Sequence, residues 1–350
     1  MAPQLQAVDA PATDLTALAD WMNSQDLGRD AITDVEPISG GTQNIMLRLR
    51  YGDRTYVLRR GPQTLRSQSN KVIAREMQVL EALSGTAVPH PQLIAGCTDV
   101  DVLGAVFYLM EPVDGYNASV DLAPAHTHDA RVRREMGFAM IDALAALGEV
   151  DHESVGLADY GHANGFLERQ VPRWMRELDD YRQLDGYPGP ELRGIERVAD
   201  WLTANRPRHW RPGILHGDYH IANVMFSRTT PEVRAIVDWE MSTIGDPLLD
   251  LGWLLATWPE EDGAHDLLES RLAAAGGLPT RSELVHRYTE LSSRDLTAID
   301  WYTVLACFKL AIILEGTHAR ACAGQAPVVV GDRLHRYALQ LFDRAHTYLI

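Results

Sequence analysis

The chain has 350 residues, 46% of them hydrophobic, and a formal charge of −16 from 32 basic and 48 acidic side chains. That length suits two lobes around separate cores, and the acidity argues against nucleic acid as a partner. No run of some 18 apolar residues occurs, no charged start leads into an apolar h-region, and Cys97, Cys307 and Cys322 are scattered and odd in number. These features point to a cytoplasmic protein with no membrane span, no secretory signal, no zinc site and no disulfide framework.

Residues 15–22 carry apolar side chains at helical spacing and predict a leading helix. Residues 32–38, 45–50 and 55–60 read as antiparallel strands, with Gly52 in the turn between the last two. Between the first two strands lies Ser39-Gly40-Gly41-Thr42-Gln43-Asn44, a glycine-bearing segment whose amides can approach phosphates closely. Residues 70–83 predict a helix, and 93–97 and 106–110 two more strands. After Gly115 the pattern turns helical, over 129–147, 165–180, 190–205, 248–256, 282–291, 295–313 and 328–348. The fold class is therefore α+β and bilobal: a small antiparallel sheet lobe over 1–110, and a larger, mostly helical lobe over 111–350.

The richest stretch is Ile214-Leu215-His216-Gly217-Asp218-Tyr219-His220-Ile221-Ala222-Asn223, followed by Ile236-Val237-Asp238-Trp239-Glu240 and Gly245-Asp246-Pro247 with Asp250. Phosphoryl transfer needs a carboxylate to accept the proton of the attacking hydroxyl, and oxygen ligands to hold Mg²⁺ against the nucleotide phosphates. Asp218 suits the first role, and Asn223 with Asp238 the second. Residues 223–226 and 234–237 read as the strands of a hairpin that brings Asn223 and Asp238 together. A metal-hydrolase cluster of His216, Asp218 and His220 is the competing reading, weakened because the other histidines lack paired spacing. Asp246 and Asp250 read as structural, the first capping the helix near Leu248, the second bracing His216 or neighbouring amides.

These motifs closely resemble the aminoglycoside phosphotransferase and choline kinase-like superfamily. Within it, Val57-Leu58-Arg59-Arg60, Phe107-Tyr108-Leu109-Met110-Glu111 and Phe308-Lys309-Leu310-Ala311-Ile312-Ile313-Leu314-Glu315-Gly316 resemble the kinase-like domains fused to acyl-CoA dehydrogenases. The resemblance covers roughly residues 30–320. It implies a protein-kinase-like fold and transfer of the γ-phosphoryl group of ATP to a hydroxyl of a small molecule. Gly40, Gly41, Thr42 and Asn44 would cover the phosphates. The backbone of Met110, Glu111 and Val113 would read the base, which leaves GTP as an alternative nucleotide. A kinase also needs a strand cation paired with a helix glutamate, here Glu76. Only Lys71 and Lys309 are lysines, so an arginine must serve: the resemblance favours Arg59, with Arg60 on the opposite strand face as the alternative. Relatives often carry histidine where Gly148 stands. Protein kinases are disfavoured, since no Asp-Phe-Gly or Ala-Pro-Glu segment occurs.

Specificity is expected from the helical lobe, around Phe166, Arg169, Trp174, Tyr181 and residues 253–258. An acyl-CoA-like hydroxy metabolite, an aminoglycoside or a choline-like alcohol fits the resemblance, and a non-catalytic nucleotide-binding module is the alternative of another kind. Arg169, Arg173 and Arg176 lining the site would favour an anion. Glu168, Asp179, Asp180 and Glu260 would favour an amine.

Overall fold

The chain folds as two units, residues 1–86 with 90–114 and residues 87–89 with 115–350. The structure, a computed structural model, describes residues 13–38, 44–62, 64–260 and 269–349. Gly40, Gly41 and Thr42 lie outside the described residues.

The first unit contains α1 (Leu15–Ser24), β1 (Ile32–Pro37), β2 (Ile45–Tyr51), β3 (Arg54–Arg60), α2 (Ser69–Leu83), β4 (Leu93–Cys97), α3 (Val100–Leu103) and β5 (Phe107–Met110). The strands form an antiparallel sheet in the order β1-β2-β3-β5-β4. Alternation in β2 sends Leu47, Leu49 and Tyr51 into the core and Arg48 and Arg50 to solvent. Those three pack with Leu18 and Met22 of α1 and with Leu58, Phe107 and Leu109. Asp14 starts α1 by accepting the amides of Thr16 and Ala17, both at 3.0 Å. The central strand β3 is buried on both faces over its last five residues, so Arg59 and Arg60 are both inside. Burying a guanidinium group is costly unless it is paired or hydrogen-bonded, and Arg59 has such a partner in Glu76.

The second unit adds β6 (Tyr116–Asn117), α4 (Pro124–Thr127), α5 (Ala130–Gly148), α6 (Phe166–Tyr181), α7 (Ile195–Ala204), β7 (Gly213–Leu215), β8 (Val224–Phe226), β9 (Val233–Ile236), β10 (Thr243–Gly245), α8 (Leu248–Thr257), α9 (Arg271–Ala274), α10 (Arg281–Leu291), α11 (Ile299–Cys322) and α12 (Val328–His346). Two small sheets, β6-β8-β9 and β10-β7, carry the motif residues. Helix α11 is surrounded by α6, α7, α8 and α12 and is buried along most of its length.

Among the boundaries that differ from the sequence expectation, three have a local reason. Asn223 belongs to a short 3₁₀ turn, Ile221–Asn223, rather than to the strand. Helix α7 begins at Ile195, because Gly194 precedes it with φ 75°. Helix α11 runs nine residues past Ile313, since Glu315 and His318 interrupt the apolar pattern without ending the helix. Glu315 is fully buried there and accepts a hydrogen bond from the Tyr187 hydroxyl at 2.5 Å. Among the described residues no helix is long and apolar enough to cross a membrane.

The contact between α8 and α11 is close enough to test. A Cβ at Gly252 would meet the Tyr302 carbonyl at 2.5 Å and the Thr303 amide at 2.9 Å. Gly252→Ala should therefore lower stability by about 1–3 kcal/mol, although alanine is the better helix former. Urea unfolding checks this, and an unchanged or raised midpoint would show that the helices separate freely.

Candidate active site

Strand β7 delivers His216-Gly217-Asp218, and its partner β10 delivers Asp246. The loop after β7 turns at Gly217, whose φ is +87° and whose absent Cβ would sit 2.4 Å from the Met241 carbonyl oxygen. Glycine alone meets both demands. Asp250, buried on the first turn of α8, accepts the His216 amide at 2.6 Å and the Gly217 amide at 2.8 Å. Burial pushes its carboxyl up to about 7, against the pull of those two amides and of Lys309. Asp246 accepts the Leu248 amide at 3.1 Å and the Tyr302 hydroxyl. Both aspartates therefore hold backbone, as the sequence reading expected.

Asp218 has a donor on each carboxylate oxygen. Asn223 Nδ2 donates to Oδ2 at 3.0 Å and to the Asp218 carbonyl at 2.9 Å. His220 Nε2 lies 3.2 Å from Oδ1, while its Nδ1 accepts the Ala222 amide at 3.2 Å. That assigns the His220 proton to Nε2, pointing at Asp218. Burial alone would push the Asp218 carboxyl up, but His220 and the more distant Lys309 hold it well below the usual carboxylate range.

His216 is fully buried, and burial pushes its imidazole below the usual value. Its Nε2 bonds the Val237 carbonyl at 2.9 Å and its Nδ1 accepts the Asp218 amide at 3.3 Å. With both nitrogens turned to backbone, His216 cannot join a cluster with Asp218 and His220, and the hydrolase reading falls.

The hairpin brings Asn223 beside the Asp238 segment. Val224 pairs with Ile236, and the Val237 amide donates to the Asn223 carbonyl at 2.9 Å. Asp238 itself adopts φ 67°, ψ 64°, a left-handed backbone uncommon outside glycine, though aspartate tolerates it better than most residues. Glu240 lies on an exposed 3₁₀ turn rather than on a continuing strand.

In the sheet unit, Arg59 is the paired arginine. Its Nη2 donates to Glu76 Oε1 at 2.8 Å, and its Nε lies 2.7 Å from Oε2 in the same ion pair. The Tyr108 hydroxyl adds a bond to Oε2 at 2.9 Å. Arg60, the alternative, is buried without that glutamate, and burial lowers its ordinary value. Asn44 stands half-buried just before β2. Met110 is buried, Val113 half-buried, and the Glu111 amide is already bonded to the Gln92 carbonyl at 2.9 Å. At Gly148 the place of a side chain is taken by the Tyr288 hydroxyl, 2.8 Å from where a Cβ would stand, and by Arg294, which donates to the Gly148 carbonyl.

A cavity of about 400 Å³ opens on Asp218 and His220, walled by Met241, Trp253, Leu310, Ile313, Leu314 and Leu334. Of the residues expected to set specificity, only Trp253 and Thr257 reach it. Arg169 caps the carbonyls of His162 and Asn164, Arg173 lies over Trp174, Glu168 pairs with Arg206, and Glu260 with Arg281 and Arg344. Phe166 and Trp174 are core. The 165–180 helix was the wrong place to look: its amphipathic pattern serves packing, and the cavity is built from α8, α11 and α12.

Lys309 is the residue that motif reasoning missed. It is buried on α11, 3.3 Å from the Gly217 carbonyl and 4.5 Å from the Trp253 ring centre. Burial pulls its ammonium down to about 8, against the attraction of Asp250 and Asp218. One signal was available: a lone lysine within the apolar run of residues 299–313, in a chain with two lysines.

A phosphotransferase enzyme family profile matches residues 34–284, so the chain belongs to that family. It is 30% identical over 294 residues to mouse (Mus musculus) acyl-CoA dehydrogenase family member 10, covering 82% of this chain and 26% of that protein. It is likewise 30% identical over 302 residues to chicken (Gallus gallus) acyl-CoA dehydrogenase family member 11, covering 83% of this chain and 37% of that one. The chain thus spans between about a quarter and two fifths of those relatives. A Ralstonia eutropha structure, assigned provisionally as an aminoglycoside phosphotransferase, superposes with TM-score 0.80 at 28% identity, over 97% of this chain and 98% of its own. The GDP complex of aminoglycoside 2'-phosphotransferase-IIIa matches at TM-score 0.58 and 17% identity, over 95% and 99%. The expected kinase-like α+β fold and the acyl-CoA dehydrogenase branch are both borne out.

Lys309 gives a pH test. Its value falls from 10.5 to about 8 on folding. The folded chain thus binds fewer protons than the unfolded chain between those limits, and stability rises with pH across that window. The contribution is complete above about 10.5 and lost as pH falls through about 8. Urea midpoints of wild type and Lys309→Met should diverge in favour of wild type between pH 8 and 10.5; parallel curves would place the lysine in water.

Proposed function

We propose that this chain is a small-molecule kinase that moves the γ-phosphoryl group of ATP, or of GTP, to a hydroxyl of a hydroxyacyl-CoA-like metabolite. The observation that carries the reading is Asp218, oriented on both oxygens and lining an apolar cavity. Held below the usual carboxylate range, Asp218 is ionised at neutral pH and takes the substrate proton as the oxygen attacks. His220 and Asn223 fix its direction, and Asp250 and Lys309 fix the loop that carries it.

The residues fit Mg²⁺. Because Asn223 Nδ2 is spent on Asp218, the amide presents Oδ1 to a hard cation, and the Asp238 carboxylate follows from the next strand. Bound Mg²⁺ would neutralise phosphate charge and hold the transferring group in line. In the sheet unit Arg59, fixed by Glu76, is assigned to the nucleotide phosphates, with Gly40, Gly41, Thr42 and Asn44 as the segment that covers them. Arginine grips phosphate bidentately where protein kinases use lysine. The base is assigned to the backbone of Met110, Glu111 and Val113.

An acyl acceptor is favoured over an aminoglycoside by the cavity wall. Among the described residues that line it, seven are aliphatic, aromatic or Met, and besides Asp218 the carboxylate is Glu269, which accepts a bond from Tyr337. A polyamine needs several carboxylates. Arg333 stands at the same cavity, with no ion pair among the described residues, and suits an anionic group. The names of the curated relatives add acyl chemistry to this side of the balance.

A coupled nucleotide-consumption assay over hydroxyacyl-CoAs, aminoglycosides and choline-like alcohols tests the reading. Turnover should be greatest with hydroxyacyl-CoAs, and Arg333→Glu should raise KM for them about tenfold, the loss of roughly 1.4 kcal/mol of binding, with kcat kept. Aminoglycoside turnover without acyl turnover would reject the acyl assignment. Asp218→Asn should still bind nucleotide and lose roughly 10²–10⁴-fold in kcat. A kcat near wild type would remove Asp218 from the base role, and nucleotide binding without turnover on any acceptor would favour a non-catalytic module.

A further inference from the structure

Three potential ligands converge behind the wall of the Asp218 cavity. Glu315 and His318 stand one turn apart on α11, and His335 faces them from α12. One donor atom from each lies within 4.8 Å of the others. Glu315 is 0% exposed, and the His318 and His335 side chains are 16% and 17% exposed. The imidazoles stack at 4.6 Å between centres and 27° between planes.

The hydrogen bonds account for only part of this cluster. Glu315 Oε1 accepts from the Tyr187 hydroxyl at 2.5 Å, and Oε2 from His335 Nδ1 at 2.7 Å. His318 Nδ1 is buried with no hydrogen bond, and Asp332 Oδ1 stands 3.7 Å away. His318 Nε2 faces the Cys322 thiol at 3.7 Å. The hydrogen bond between neutral His335 and Glu315 explains two of the three residues. It leaves a second imidazole stacked on the first with an unsatisfied nitrogen, which is costly.

We propose that Glu315, His318 and His335 bind a transition-metal ion of the zinc type, which ties α11 to α12. Two imidazoles and one carboxylate are a zinc ligand set, and imidazole selects Zn²⁺ or Co²⁺ over Mg²⁺. Around a tetrahedral ion the donors stand roughly 3.4 Å apart. The Glu315–His335 pair opens slightly and His318 closes by side-chain rotation. His335 moves its proton from Nδ1 to Nε2 and ligates as the neutral ring. Tyr187 orients the carboxylate from behind, as outer partners of metal ligands do. Leu314 and Leu334, the residues preceding Glu315 and His335, both line the Asp218 cavity. Occupancy would therefore stiffen two sides of the acceptor cavity.

Binding itself is the test, so the result is independent of any acceptor. Chelator-stripped full-length chain, without nucleotide, is titrated calorimetrically with Zn²⁺, and with Co²⁺ while visible absorption is followed. The expected result is one ion per chain, an intense tetrahedral Co²⁺ spectrum and a raised Tm with Zn²⁺ but not with Mg²⁺. His335→Gln keeps a donor to Glu315 and should fold normally, and His318→Ala removes the unsatisfied ring. Each should weaken Zn²⁺ binding by at least about 100-fold. Zn²⁺ binding that is absent from wild type, or equally strong in both variants, overturns the site.

Discussion

The loop that carries Asp218 is held by one buried carboxylate. Asp250 spans two successive amides, those of His216 and Gly217, with one oxygen each. Charge-assisted hydrogen bonds of this kind contribute about 1.5–3 kcal/mol apiece, enough to offset much of the cost of burying the group. The clamp fixes the point where β7 ends, and the left-handed turn at Gly217 then aims Asp218 outward. Met241 closes over that turn too tightly for any side chain. Replacing either aspartate would leave partners unsatisfied, but of different kinds: losing Asp250 orphans backbone, while losing Asp218 releases His220 and Asn223.

Helix α11 serves three regions at once because it is buried nearly all round. Lys309 supports the loop through the Gly217 carbonyl and the Trp253 ring. Leu310, Ile313 and Leu314 form one wall of the cavity. Glu315, a turn beyond Ile312, meets Tyr187 and His335. A buried helix tolerates such groups only at a cost unless each has a partner, and Lys309 and Glu315 both have one.

The sheet unit solves a separate problem. A central strand buried on both faces must carry a cation inward without leaving it unpaired. Arg59 meets this with a buried ion pair to Glu76, itself steadied by Tyr108. Removing one member of such a pair costs far more than the pair contributes net, since the other charge stays buried. The pair therefore holds Arg59 in one position on the strand.

Much of this was legible in the chain. The spacing of Asp218 and Asn223, the returning strand before Asp238, and the bracing role of Asp250 followed from residue types that phosphoryl transfer and loop geometry demand. The strand order of β2 and β3 followed from alternation and a glycine turn. The resemblance favoured Arg59 over Arg60, and only packing against α2 shows that Arg59 is the one that meets Glu76, because alternation says that two neighbours face apart but not which face meets the helix. The cavity escaped the sequence altogether: its walls come from α8, α11 and α12, whose apolar residues look like any core. The cluster at Glu315 was hidden for the same reason, whereas Lys309 left a signal as a lone lysine in an apolar run. Local pattern reports which residues are buried, whereas what they are buried against depends on contacts between segments far apart in the chain.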